Sequence, residues 1–96
     1  MIRSFGDHFT ELLYHGKKDA RVRRFPSDVL KVTVRKLDML NTAQVLGDLR
    51  SPPGNRLEAL KGGLKGLFSI RVNDQWRIVF RWVGADAVDV RVTDYH

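Results

Sequence analysis

The chain has 96 residues, enough for one core and too few for two, so a single domain spanning 1–96 is expected. Lysine and arginine outnumber aspartate and glutamate 17 to 11 and the isoelectric point lies near 10.2, which favours a polyanionic partner or an acidic protein over a neutral small molecule. Cysteine is absent, which excludes disulfides, thiolate metal sites and a cysteine nucleophile, and residues 1–14 are broken by Arg3, Asp7 and Glu11 rather than forming an apolar leader or span; a cytoplasmic protein without membrane association is expected.

In chain order, Ile2-Arg3-Ser4-Phe5 reads as a short edge strand. Asp7 suits the N-cap of a helix that carries Phe9, Leu12 and Leu13 and stops at Gly16. Residues 17–24 gather five positive charges without periodicity and read as a basic connecting segment. Pro26 and Ser27 read as the lead-in and N-cap of a longer helix. In it Leu30, Val34, Leu37 and Leu40 recur every three or four residues while Lys31, Arg35 and Asp38 fall on other faces. Another helical turn is expected around 43–46, before Ser51-Pro52-Pro53-Gly54 breaks the pattern.

Beyond that break the period becomes two. Phe68, Ile70 and Val72 alternate with Ser69 and Arg71, and Trp76, Ile78, Phe80 and Trp82 alternate with Arg77, Val79 and Arg81. Asn73-Asp74-Gln75 reads as the turn between them. After a second turn at Gly84-Ala85-Asp86, Val88, Val90 and Val92 alternate with Asp89, Arg91 and Thr93. A further short strand is expected at 56–60. The fold class is therefore α+β, with N-terminal helices packed on the apolar face of a twisted antiparallel sheet.

If Trp76, Ile78 and Phe80 are buried, Arg77 and Arg81 turn the other way, and Arg71 and Arg91 follow the same rule on neighbouring strands. Guanidinium groups gathered on one face repel one another unless an anion sits among them, and their forks match phosphate oxygens. The competing reading is a solvated sheet face with Asp89 and nearby acids pairing locally. The basic 17–24 segment is either solvated surface or a contact with RNA or the ribosome. His8 and His15 lack a metal-ligand spacing, and Gly54, Gly62, Gly63 and Gly66 do not form a nucleotide-binding loop, so no metal and no cofactor are expected. At the end of the last strand, Thr93-Asp94-Tyr95-His96 places three groups suited to acid–base or hydrogen-bonding work.

Three stretches together resemble one family: Pro52-Pro53-Gly54-Asn55-Arg56-Leu57-Glu58-Ala59-Leu60, then Ser69-Ile70-Arg71-Val72-Asn73-Asp74-Gln75-Trp76-Arg77-Ile78, and the closing Asp94-Tyr95-His96. The chain resembles, over essentially its whole length, the HigB toxins of the RelE/ParE superfamily, including the GraT-like variety. That resemblance implies a RelE-like microbial RNase fold and a toxin of a type II toxin–antitoxin pair. It further implies a metal-independent endoribonuclease that cuts mRNA in the A site of the 70S ribosome and is neutralised by a HigA-like helix-turn-helix antitoxin. Operator DNA would be bound only through that antitoxin.

Carried over position by position, the resemblance implies catalytic roles for Arg77, Asp94, Tyr95 and His96 and places the basic Lys61 beside the site; Arg71, Arg81 and Arg91, read from strand alternation, are expected to bind RNA with it. Glu58 stands where some relatives have a functional histidine; it is either a proton acceptor or a solvated strand residue. The implied chemistry is attack of the RNA 2′-hydroxyl on the adjacent phosphorus. Arg77 would stabilise charge, Asp94 or His96 would act as base with the other orienting or protonating, and Tyr95 would stack or donate a hydrogen bond. Two other readings remain open: a ParE-like toxin that inhibits a protein target such as gyrase, and a degenerate toxin kept as an antitoxin-binding partner.

Overall fold

The computed structural model describes residues 1–94, so Tyr95 and His96 lie outside the described residues. Helix α1 spans His8–Tyr14, and the Asp7 carboxylate accepts from the Thr10 backbone N–H at 2.8 Å, the cap its sequence position leads one to expect. Gly16 then turns the chain with a φ of 67°. The basic segment is not a plain connector. Residues Ala20–Arg24 form α2, capped by Asp19, whose side chain accepts from Arg21 N at 2.8 Å, and Val22 is buried beneath it. Five residues are too few to display a helical period, so only the cap was there to be read.

Helix α3 runs Ser27–Thr42, but Ser27 is its first helical residue and not its N-cap. Pro26 takes the cap position: its carbonyl accepts from Leu30 N at 2.8 Å, and a proline has no N–H to leave unsatisfied there. Leu37 and Leu40 are fully buried, whereas Leu30 and Val34 are half-buried because Thr33 and Lys36 share the inward face. The turn expected at 43–46 comes later, as a short 3-10 helix over Leu46–Arg50. Asp48 Oδ2 opens it by accepting from Gln44 N and Val45 N.

The sheet has four antiparallel strands in sequential order: β1 Glu58–Ala59, β2 Phe68–Arg71, β3 Trp76–Val83 and β4 Asp86–Asp94. The strand expected at 56–60 is thus two residues long. Asn73 closes the β2–β3 turn, its Oδ1 accepting from Gln75 N and Trp76 N. The 2–5 segment makes isolated parallel bridges, Ile2 to Ala87 and Phe5 to Val90, along the outer edge of β4 instead of a full strand. It still covers that edge, which an open sheet would leave exposed.

Ile70, Ile78, Phe80, Val90 and Val92 meet Leu13, Leu37 and Leu40 in the core. Thr10 fastens α1 to β4, its Oγ1 accepting from Val92 N at 2.9 Å in a buried setting. One expected face is inverted. Val79 pairs with Arg91 but Arg81 pairs with Val88, so β4 carries an extra residue and Asp89 sits at φ 55°. Val88 consequently lies with Arg81, away from the core, and Ala87 occupies the buried position. Among the described residues no helix is long and apolar enough to cross a membrane.

Candidate nucleic-acid interface

Register sets what the outer face of the sheet presents. One row across the strands holds Glu58, Ser69, Val79 and Arg91; the next holds Arg71, Arg77 and Thr93. Arg71 and Arg77 are direct cross-strand partners, an arrangement that opposes two like charges at close range. Arg71 is offset by an ion pair with the Asp74 carboxylate. Among the described residues, Arg56, Glu58, Ser69, Arg71 and Arg77 line a cleft of about 100 Å³. With three guanidinium groups around one carboxylate, the cleft suits an anion with several oxygens.

Arg56 and Ser69 were not expected in a site. Ser69 is 3% exposed and lies outward between Phe68 and Ile70; strand alternation was its only signal. Arg56 reaches the cleft by a local device. It takes a left-handed backbone, φ 46°, with its N–H donating to Pro53 O at 3.1 Å. The preceding Asn55 is wholly buried, donating from Nδ2 to Leu49 O and Ser51 O, while its Oδ1 accepts from Lys36 Nζ at 2.6 Å. This bond ties the loop to α3. Burial holds the Lys36 ammonium pKa below its ordinary value, and the charges of Arg35 and Arg71 push it in the same direction.

A second cleft, about 130 Å³, lies on the same face and shares Arg77 as a wall. Its other described lining residues are Leu60, Leu64, Leu67, Val79, Arg91 and Thr93. The remaining expected site residues are more dispersed. Arg81 lies beyond the bulge, lines neither cleft, and has Nε 3.6 Å from Asp89 Oδ2. Lys61 is exposed at the start of the 3-10 turn Gly62–Leu64 and also lines neither. Asp94 pairs in register with Trp76, whose ring packs on Phe25, while Thr93 is the partner of Arg77. Strand alternation therefore assigns Asp94 to the helix side, and its Oδ2 accepts from Gln75 Nε2 at 3.1 Å.

Residues 3–96 match the family described as RelE-like toxin of type II toxin-antitoxin system HigB. The chain belongs to this HigB family. It is similar to Toxin HigB-1 of Vibrio cholerae serotype O1, at 46% identity over 89 residues, covering 93% of this chain and 92% of that one. It is also similar to Endoribonuclease HigB of Proteus vulgaris, at 33% identity over 96 residues and the full length of both. A HigB protein is the toxin of a type II toxin–antitoxin system, so an antitoxin partner comes with the family. The helices and antiparallel sheet fit the RelE-like α+β fold, and both HigB clefts fall inside the matched region.

Proposed function

We propose that this HigB-family toxin is a metal-independent endoribonuclease that cuts mRNA in the ribosomal A site, with the scissile phosphate seated in the cleft of Arg56, Glu58, Ser69, Arg71 and Arg77. The observation that carries this reading is the direct opposition of Arg71 and Arg77 beside Glu58. Two arginines in direct cross-strand register and lining one cleft favour a shared anion, and a carboxylate next to that anion can take a proton. The relative named Endoribonuclease HigB adds independent support.

In the proposed reaction the 2′-hydroxyl loses its proton to a base, its oxygen bonds to phosphorus, and the 5′-oxygen leaves and is protonated. The RNA is left with a 2′,3′-cyclic phosphate and a free 5′-hydroxyl; a water molecule that attacks the phosphorus and displaces the 2′-oxygen then opens the ring to a 3′ phosphate. Arg77, on the central strand and at the wall of both clefts, stabilises charge on the phosphorane oxygens. The cleft position of Glu58 supports its acting as proton acceptor. Tyr95 and His96 supply the remaining acid and base contacts, Asp94, on the helix side of the strand end, takes an orienting role, and Arg91 and Lys61 bind the strand beyond the cut. Arg81, out on the bulged half of the hairpin, adds attraction for the backbone without touching the reacting phosphate.

A HigA-like helix-turn-helix antitoxin neutralises the toxin and contributes the contacts to operator DNA. Cytoplasmic ribosomes bearing mRNA are the working partner. Primer extension on ribosome-bound mRNA tests this. Wild type should give cuts positioned by codon and Arg77→Ala should give few or none; trapped gyrase–DNA breaks in place of mRNA cuts would move the protein to the gyrase-directed reading.

A further inference from the structure

The second cleft has a character the reaction itself does not require. Leu60, Leu64 and Leu67 fold over Val79, which belongs to the outer face of the sheet yet is only 6% exposed. The chain makes this cover with two glycines in left-handed conformations, Gly62 at φ 66° and Gly66 at φ 95°. Leu64, at the tip, remains 49% exposed. An apolar floor with an exposed leucine above it, on a face that also carries Arg71, Arg77, Arg81 and Arg91, marks a place where a partly apolar group is bound.

We propose that this cleft receives the base of a nucleotide adjoining the phosphate held in the neighbouring polar cleft, so that the pair of clefts reads one phosphate and one base of the same strand. The inference rests on the ribonuclease reading. Three features favour a nucleobase over another occupant. The volume of about 130 Å³ suits one planar heterocycle and is too small for a helix or a length of peptide. Arg77 walls both clefts, so one guanidinium can meet phosphate oxygens on one side and lie along a base on the other. Arg91 and Thr93 at the rim offer donors, and in Thr93 also an acceptor, to a base edge, while the leucines give apolar contact with its faces.

The test uses the whole toxin labelled at its leucine and valine methyl groups and at arginine Nε, titrated with inorganic phosphate and then with a dinucleoside monophosphate whose first sugar is 2′-deoxy and so cannot be cut. Phosphate should move only arginine signals. The dinucleotide should move the methyls of Leu60, Leu64, Leu67 and Val79 as well. Silent methyls alongside shifting arginines would overturn the base subsite while leaving the phosphate site standing; silence in both would overturn the two together. As a functional arm, Leu64→Ser, at a half-exposed position, should slow mRNA cutting about tenfold, whereas Leu64→Met should restore most of the rate. Cutting by Leu64→Ser at the wild-type rate and with unchanged base preference would also overturn the proposal.

Discussion

The ammonium of Lys36 donates a 2.6 Å hydrogen bond to Asn55 Oδ1, joining the middle of α3 to the residue just before Arg56. Lys36 is 8% exposed and Asn55 is not exposed at all, so neither can turn to water if its partner is removed. Asn55→Ala should therefore leave an ammonium without its bonded oxygen and two carbonyls without their amide. The expected loss is about 1–3 kcal/mol of stability, read as a lower denaturant midpoint at unchanged slope. Cleavage should fall further than stability explains, because the left-handed turn that delivers Arg56 and then Glu58 to the cleft is released with it.

The same ammonium sets a pH dependence. Its native pKa lies below the ordinary 10.5, first through burial and then through Arg35 and Arg71. Between the lowered native value and 10.5 the unfolded chain holds more protons than the native one, so stability rises with pH across that interval. Below the native value the burial penalty is present in full. Lys36→Met should flatten this alkaline rise, which denaturant titrations at several pH values below 10.5 would reveal.

Asp86 behaves in the opposite sense. Its hydrogen bond from Arg3 and that from the N-terminal ammonium hold its carboxyl below the ordinary 3.8. The native form thus keeps the carboxylate where the unfolded chain would protonate it; the stabilisation is present above 3.8 and is lost as pH falls through the lowered native value. Arg3→Ala should move the acid-unfolding midpoint to higher pH.

Glu58→Gln preserves shape and removes the ability to take a proton. If Glu58 is the base, the single-turnover rate of mRNA cleavage should drop by roughly 10²–10⁴-fold with ribosome binding intact. A rate within twofold of wild type would return that role to His96, with Asp94 as its orienting residue. Asp94→Asn provides the matching comparison.

Gly6 is packed where a larger residue has no room. A Cβ there would stand 2.8 Å from Asp89 O and 2.8 Å from Arg91 Nε, and the Asp89 carbonyl belongs to the bulge. The arginine can swing aside but the backbone cannot. Gly6→Ala should lower stability by about 1–3 kcal/mol, seen as a reduced thermal midpoint.

Much of this was legible in particular residues. Asp7 and Gly16 marked the ends of α1, and the alternation of Trp76, Ile78 and Phe80 with Arg77 and Arg81 gave β3 both its inward and outward faces. The valines at 88, 90 and 92 misled, because three identical residues at period two conceal an inserted one, and aspartate at 89 accepts a positive φ that most side chains resist. Arg56 was hidden for another reason: its position depends on bonds from Asn55 to Leu49, Ser51 and Lys36, none of which follows from local pattern. The side of the sheet taken by Asp94 depended on knowing that Trp76, not Arg77, is its partner.

The extra residue at Asp89 makes the β3–β4 hairpin a jointed element. Strand pairs 76–79 with 91–94 carry Arg77 and Arg91, while pairs 81–83 with 86–88 and the Gly84 turn lie on the far side of the joint. Length changes or grafted sequence at the Gly84 turn would lie beyond the joint, and the spacing of Arg71, Arg77 and Arg91 would be preserved. The Gly84 turn itself, between Arg81 and the anchored Asp86 and Ala87, is therefore the place to attach a reporter to this toxin without disturbing its proposed face for RNA.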